Sequence, residues 1–224
     1  MTVKTDHNKF GHRHNLSGLA RKYAGLTVGL YGGSFNPAHA GHGHVARAAL
    51  NHLKLDSLWM MVSPGNPLKN NAGDMASDVT RKKTLLPYSR HPKVIISDVE
   101  QILGTNYSVD TIEKLIKIMP LTNFIWIIGA DNLATFHLWK RWRDIAHMLP
   151  IAVFDRPLYS AKALHSRYAN EFNRFRLPKN QLLSGQIRGR TSKRGLPAWS
   201  FITIPRHPAS STNIRRTMKQ TNKI

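Results

Sequence analysis

The sequence contains no cysteine and few acidic residues. Its 224 residues include 12 Asp and Glu against 33 Lys and Arg, which gives a formal charge of +21. The absence of cysteine excludes disulfide-stabilised scaffolds, thiolate metal sites, iron–sulfur clusters and catalytic thiols. No stretch approaches the roughly 20 consecutive apolar residues that a membrane helix needs, and residues 1–25 lack the apolar run of a secretory signal. We therefore expect a soluble, cytoplasmic protein without membrane contact, folded around an apolar core.

The positive charge is concentrated in the last third of the chain. Residues 156–224 carry 15 basic residues and one acidic residue, whereas residues 26–155 carry 13 and 10. A basic excess is typical of nucleic-acid-binding proteins, which are the alternative from another functional class. Lysine and arginine also simply solvate a surface, and the middle of the chain is nearly balanced in charge. We therefore disfavour nucleic-acid binding as the main function.

Alternating apolar and amphipathic segments predict the fold. Short, β-prone apolar runs alternate with segments of helical period, a pattern typical of a doubly wound, Rossmann-like α/β parallel sheet. We expect one domain over residues 26–224, with a variable basic segment at about 156–198, and a disordered tail over residues 1–25. The predicted strands are 26–31, 57–63, 93–97, 123–129, 151–155 and 199–204, and the predicted helices are about 43–54, 79–90 (interrupted at Pro87), 108–119 and some helix near 160–170.

The first chemical motif, YGGSFNPAHAGHGH, covers residues 31–44, where the first strand meets the first predicted helix. In open α/β sheets, ligands bind at the carboxyl ends of the strands. We expect the strand to stop before Gly32 and Gly33, whose backbone N–H groups can approach a phosphate closely, next to the unpaired donors of a helix N-terminus. The imidazoles of His39 and His42 can then face phosphate oxygens. A simple turn with surface histidines, or a chance metal cluster, is the alternative.

The second motif, ASSTNIRR, covers residues 209–216 before a predicted terminal helix. Ser and Thr cap helices while leaving hydroxyl and N–H groups available to a phosphate. Arg215 adds a permanent, planar charge suited to phosphate. By itself this pattern is more typical of a capped, basic surface helix.

Together, the two motifs resemble the signature of the nucleotidyltransferase superfamily of adenylyl- and cytidylyltransferases, in which a His-x-Gly-His pair binds the nucleotide triphosphate. Asn36 stands where that superfamily commonly has Asp, and Ala209 where it usually has Ile. The resemblance implies that His39, His42 and Arg215 are catalytic. The implied ATP-binding residues are Gly32, Gly33, Ser34, Phe35, His39, His42, Gly129, Asp131, Ser211, Thr212 and Arg215.

Three further segments narrow the resemblance. SPGNPLK (63–69), TNYSVDT (105–111) and IGADNLATFHLWKRW (128–142) resemble segments of the nicotinate-nucleotide adenylyltransferase family. In that family a tryptophan at the position of Trp139 stacks on the pyridine ring, and the segment containing Tyr107 meets the nicotinate carboxylate. Helix caps and a core tryptophan are the alternative explanations. The implied substrate-binding residues are Lys69, Tyr107, Ser108, Thr111 and Trp139.

The resemblance implies a reaction between ATP and nicotinate mononucleotide that releases pyrophosphate. The attacking 5′-phosphate is already anionic, so catalysis depends on positioning and charge stabilisation rather than on a general base. Mg²⁺ is expected to arrive with ATP, held by phosphate oxygens and water rather than by the protein. Nicotinamide mononucleotide, phosphopantetheine and an alcohol phosphate in cytidylyl transfer are the alternative acceptors within the same fold.

Overall fold

The computed structural model describes residues 16–63, 75–156, 158–182, 195–205, 207–209, 211, 214, 215 and 217. Six parallel strands form one sheet in the order β3-β2-β1-β4-β5-β6. The strand order reverses between β1 and β4, which confirms the predicted doubly wound architecture. The strands are β1 (Thr27–Gly33), β2 (Ser57–Val62), β3 (Val94–Ser97), β4 (Asn123–Gly129), β5 (Ile151–Phe154) and β6 (Trp199–Ile202).

Helices pack on both faces of the sheet, and the sheet separates two apolar clusters. One cluster contains Trp126 and Trp199, and the other contains Phe35 and Phe154. No helix in the described ranges is long and apolar enough to cross a membrane. The helices are α1 (Leu16–Lys22), α2 (Ala40–His52), α3 (Asp78–Leu85), α4 (Val99–Leu103), α5 (Ser108–Ile118), α6 (Ala130–Leu133), α7 (Trp142–Met148), α8 (Ser160–Leu164) and α9 (Arg167–Glu171).

The glycine pair of the first motif belongs to a strand, and the prediction that the strand stops at Tyr31 is wrong. Gly32 and Gly33 extend β1 and pair in register with Met61 and Val62 of β2. The neighbouring strand therefore supplies the backbone partners that keep the glycines extended. Glycine also allows close packing, because a Cβ at Gly32 would lie 3.2 Å from the Trp126 ring.

Two helix boundaries also differ from the prediction. α2 begins at Ala40 rather than near residue 43, because the His39 side chain caps it. The disorder expected for residues 1–25 is wrong for the part that the structure describes, since α1 buries Leu19 and the following Tyr23 against the core. Residues 1–15 lie outside the described residues.

Arg81 of α3 joins the loops that follow two strands. Its guanidinium donates to the carbonyl of Ser34, after β1, at 2.9 Å and to that of Ser63, after β2, at 2.7 Å. Its Nε donates to the Ala76 carbonyl at 3.0 Å, and its remaining nitrogen pairs with Asp78. The side chain is 1% exposed, so these bonds lie inside the protein. They fix the backbone of Ser34, within the first motif, and of Ser63.

Candidate active site

A cavity of about 680 Å³ opens where the strand order reverses. It is bounded by the carboxyl ends of β1 and β4, by the start of α2 and by the second motif. This is where doubly wound sheets bind their ligands. Of the residues expected to bind ATP, those that line the cavity are Gly32, Gly33, Ser34, Phe35, His42, Gly129, Asp131, Ser211 and Arg215.

The two motif histidines cap α2 reciprocally. Nδ1 of His39 accepts a hydrogen bond from the N–H of Gly41 at 3.1 Å, and Nδ1 of His42 accepts from the N–H of His39 at 3.1 Å. An Nδ1 that accepts a hydrogen bond carries no proton. In the neutral ring the hydrogen therefore resides on Nε2, so each histidine keeps one donor for another partner.

Burial keeps both rings neutral. Burial lowers the pKa of His39 to about 4, and the nearby Arg156 and His207 act in the same direction. Burial also lowers the pKa of His42 well below its usual value, aided by His39 and Arg156. Near pH 7 both side chains are thus uncharged donors at a helix N-terminus, where the backbone already favours an anion.

The histidines lie at different depths. His42 lines the cavity, whereas His39, 2% exposed, is absent from its lining. Their ring centroids are 3.9 Å apart. Nε2 of His39 is buried and has no hydrogen-bond partner among the residues that the structure describes. His42 is therefore the first of the pair to meet a ligand, and His39 holds an unused donor directly beside it.

The second motif packs on the first. The Ser211 hydroxyl donates to the Pro37 carbonyl at 3.0 Å, and Arg215 donates to the Asn36 carbonyl at 2.5 Å. Both side chains also line the cavity. Ser211 and Pro37 are 174 positions apart in sequence, and the two motifs thus form one wall. Thr212 lies outside the described residues.

Close packing at this wall requires a glycine. The Ala209 carbonyl would lie 3.2 Å from a Cβ at Gly41, and the His39 ring would lie 2.9 Å from it. Any larger residue at position 41 would push apart the capped start of α2 and the chain leading into the second motif.

An aromatic region forms the opposite side of the cavity. Trp139 and Tyr107 both line it; Trp139 is half-buried, with its ring centroid 5.1 Å from that of Phe136. Tyr107 is 38% exposed, and the Lys140 ammonium lies 4.3 Å from its ring centroid. Ser108, at the start of α5, also lines the cavity.

The structure places Thr111, which was expected to bind the mononucleotide, away from the cavity lining. Thr111 is fully buried and does not line the cavity; its hydroxyl lies 2.7 Å from that of Thr105 and donates to the Tyr107 carbonyl at 3.2 Å. Thr111 therefore fixes the backbone that carries Tyr107. Lys69 lies outside the described residues.

Sequence patterns did not point to Arg156, which enters the cavity directly after β5. It donates to the Asp131 carboxylate at 3.1 Å. Its position after a buried strand is the signal that could have identified it, because ligand-binding side chains gather at strand carboxyl ends. Lining residues outside every motif and segment quoted above include Leu158, Tyr159 and His207.

The family model of cytidylyltransferase-like proteins matches residues 30–217, a range that contains both motifs and the whole cavity. The chain belongs to this family. This cytidylyltransferase-like protein is 43% identical over 199 residues to a probable nicotinate-nucleotide adenylyltransferase of Roseobacter denitrificans, covering 88% of this chain and 96% of the relative. It is 44% identical over 191 residues to one of a Ruegeria species, covering 85% and 97%.

Solved structures support the same fold. The nicotinic acid mononucleotide adenylyltransferase of Plasmodium falciparum, complexed with NaAD, superposes on this cytidylyltransferase-like protein with a TM-score of 0.61 and 15% identity, covering 85% of this chain and 83% of that one. The same protein complexed with APC gives a TM-score of 0.59. These structures therefore confirm the fold, and the family model and the relatives confirm the family implied by the sequence motifs.

Proposed function

We propose that this protein transfers the adenylyl group of ATP to nicotinate mononucleotide, forming nicotinate adenine dinucleotide and pyrophosphate. The observation that carries the proposal is a single cavity with neutral histidine donors at a helix N-terminus on one side and a tryptophan wall on the other. The first feature suits a polyphosphate and the second suits a flat ring. The names of relatives that match 85% or more of the chain support the choice of acceptor.

The phosphate side of the cavity supplies fixed donors. His42 and His39 would bind the α-phosphoryl group through Nε2–H, in line with the α2 N-terminus. Ser211, Thr212 and Arg215 would hold the β- and γ-phosphates that leave. The bonds from Ser211 and Arg215 to the first motif keep these groups beside the histidines before any ligand arrives. Catalysis then requires little rearrangement of the protein.

The chemical step is an in-line displacement. A 5′-phosphate oxygen of the mononucleotide attacks the α-phosphorus of ATP, the bond from that phosphorus to the bridging oxygen breaks, and its electron pair leaves with pyrophosphate. Because the nucleophile is already an anion, no side chain has to remove a proton. The neutral imidazoles donate to the charge that accumulates on the α-phosphoryl oxygens.

Mg²⁺ would enter this site bound to ATP. Among the described residues, no group of three or more His, Asp or Glu side chains could hold a metal ion. Asp131 and Asp155, two carboxylates that line the cavity, bind Arg156 and Ser160. The ion would therefore be held mainly by phosphate oxygens and water, and would supply charge neutralisation of the triphosphate.

The mononucleotide would bind at the aromatic side. Trp139 would stack on the pyridine ring, and Tyr107 and Ser108, at the start of α5, would face its carboxylate. The α5 N-terminus favours an anion over a neutral amide there. Thr111 would act indirectly, through its bond to the Tyr107 carbonyl.

The test is pyrophosphate release from ATP and Mg²⁺ with nicotinate mononucleotide or nicotinamide mononucleotide in parallel. We expect faster release with the nicotinate form. Release with only the nicotinamide form would overturn the assigned acceptor, and release with neither from folded protein would overturn the proposed function. Omitting the acceptor controls for simple ATP hydrolysis.

A further inference from the structure

We propose that Arg141 is a positioning residue for the aromatic side of the cavity: it holds the turn that carries Trp139 against the start of α5. Tyr107 and Ser108, at that start, line the cavity together with Trp139. Arg141 itself does not line it, so it acts through these neighbours. The inference rests on the proposed function, because it takes the aromatic side as the binding site of the mononucleotide.

The backbone turns sharply at Arg141. Trp139 follows a single turn of 3₁₀ helix (Phe136–Leu138), and α7 begins at Trp142. Between them, Arg141 has a φ of 50° and a ψ of 39°, which lie in the left-handed region. A long side chain is disfavoured in this conformation. Contacts of the side chain must therefore compensate for the strain of the backbone.

Two carboxylates bind the Arg141 guanidinium. Its two Nη atoms donate to the two oxygens of Glu113 at 2.6 and 3.3 Å, and its Nε donates to Asp144 at 2.6 Å. Glu113 belongs to α5 and Asp144 to α7, so the guanidinium joins the turn to both helices. An isolated exposed ion pair contributes little, whereas a bidentate arginine within a network of charges keeps a defined geometry.

Lys140, the residue before Arg141, forms a second ion pair with α5. Its ammonium lies 3.1 Å from the Asp110 carboxylate and 4.3 Å from the centroid of the Tyr107 ring. Asp110 and Glu113 are three positions apart, so they lie on the same face of α5. Two consecutive basic residues of the turn thus bind one helix face and set the position of the turn relative to Tyr107.

The Trp139 ring is supported by the protein on one side. It packs on Phe136 and Trp126, with ring centroids 5.1 and 6.4 Å away, and is half-buried at the cavity wall. The angle at which such a ring meets a stacked ligand depends on the backbone that carries it, and small displacements weaken binding. We therefore expect a displaced turn to weaken binding of the mononucleotide and to leave ATP, on the phosphate side, unaffected.

The experiment is steady-state kinetics with ATP, Mg²⁺ and nicotinate mononucleotide. The proteins are the wild type, Arg141→Gln, Glu113→Gln and the double variant. In Arg141→Gln we expect the KM for the mononucleotide to rise about 5-fold or more, while the KM for ATP and kcat change by less than about 2-fold. Glu113→Gln should raise the same KM. Because the two residues act as a pair, the rise in the double variant should fall short of the product of the two single rises.

Arg143→Gln is the matched control. The Arg143 side chain is 47% exposed, against 45% for Arg141, and it also donates to both oxygens of a carboxylate, that of Glu171. That pair joins α7 to α9 rather than to α5, so Arg143→Gln should leave both KM values unchanged. Arg141→Lys keeps the charge without the planar fork and should recover part of the mononucleotide affinity that Arg141→Gln loses.

A second measurement needs no ligand. The Trp142 N–H donates to the Trp139 carbonyl at 3.3 Å, across the turn. Amide hydrogen exchange at this N–H reports local opening of the turn. It should be about 5-fold faster in Arg141→Gln than in the wild type, and unchanged in Arg143→Gln.

Four results would overturn the inference: an unchanged KM for the mononucleotide in Arg141→Gln, equal rises in both KM values, multiplicative rises in the double variant, or unchanged hydrogen exchange at Trp142. Failure of the proposed function is a separate result, because the wild type would then release no pyrophosphate with either mononucleotide. Hydrogen exchange would still measure whether Arg141 holds the turn.

Discussion

His39 and His42 each use one ring nitrogen for the fold and keep the other for a ligand. Nδ1 caps α2, and Nε2 carries the hydrogen. The residue type suits both tasks, because a neutral imidazole accepts at one position and donates at the other. The same two side chains thus shape the helix start and present its donors.

His42→Asn should lower kcat on the order of 10²-fold, the usual effect of losing one transition-state donor. The asparagine amide oxygen can replace Nδ1 as the acceptor for the His39 N–H, whereas nothing replaces the Nε2 donor. Steady-state kinetics with both substrates provide the measurement.

His42→Gln is the companion variant, since its longer amide can place an N–H near the position of Nε2 and should recover part of the rate. A wild-type kcat in His42→Asn would remove His42 from the mechanism.

The sequence was informative about single residues where a motif surrounded them. His42, Ser211, Arg215 and Trp139, each named from a motif, all line the cavity, and their roles stay predictions. Arg156 was missed because its partner, Asp131, follows β4, and only the sheet order brings the ends of β4 and β5 side by side.

Arg81 of α3 supports the backbone next to the site. Arg81 ties this helix to the backbone after β1 and after β2. Arg81→Met should reduce the free energy of unfolding by about 3 kcal/mol or more, because several buried carbonyls lose their donor and Asp78 loses its cation. Urea unfolding followed by circular dichroism measures this change.

Lys83→Met, on the exposed side of the same helix, is the matched control and should shift the midpoint little. Equal urea midpoints for Arg81→Met and the wild type would show that the hydrogen bonds of Arg81 do not stabilise the loops.

The sequence predicted whether a segment is a helix or a strand more reliably than it predicted where that segment begins and ends. Buried strands such as β4 appear as continuous apolar runs, as parallel strands do. The end of β1 was misplaced because Gly32 and Gly33 form strand only through their pairing with β2. Helix α1 was not predicted because a short segment with two buried side chains, Leu19 and Tyr23, shows no clear helical period of apolar residues.

At the scale of the whole molecule, buried neutral histidines couple stability to pH. A base whose pKa is lower in the folded state binds more protons when unfolded, so stability falls as pH falls. For His39, with a folded pKa of about 4 and an unfolded value near 6.5, the loss between pH 7 and pH 5 is about 2 kcal/mol. His39→Asn should remove that part of the loss, because asparagine caps helices well and does not titrate.

Urea unfolding at pH 7 and pH 5 measures the difference, with the exposed His91→Asn as the control. Equal pH dependence in the wild type and in His39→Asn would contradict a neutral, buried His39.

The overall topology was predictable because the order of strands and helices along the chain restricts a doubly wound sheet to few arrangements. The net charge was less informative. Positive residues are concentrated after residue 155, whereas the cavity lies at strand ends contributed mostly by the balanced middle of the chain.

The distribution of tryptophan gives the molecule two optical signals. Trp59, Trp126, Trp142 and Trp199 are at most 6% exposed, so their fluorescence comes from apolar surroundings and changes when the protein unfolds. Trp139 alone among the five is half-buried, at the cavity wall. A stacked aromatic ligand would quench mainly the long-wavelength part of the emission, so one unlabelled sample reports occupancy and folding at separate wavelengths.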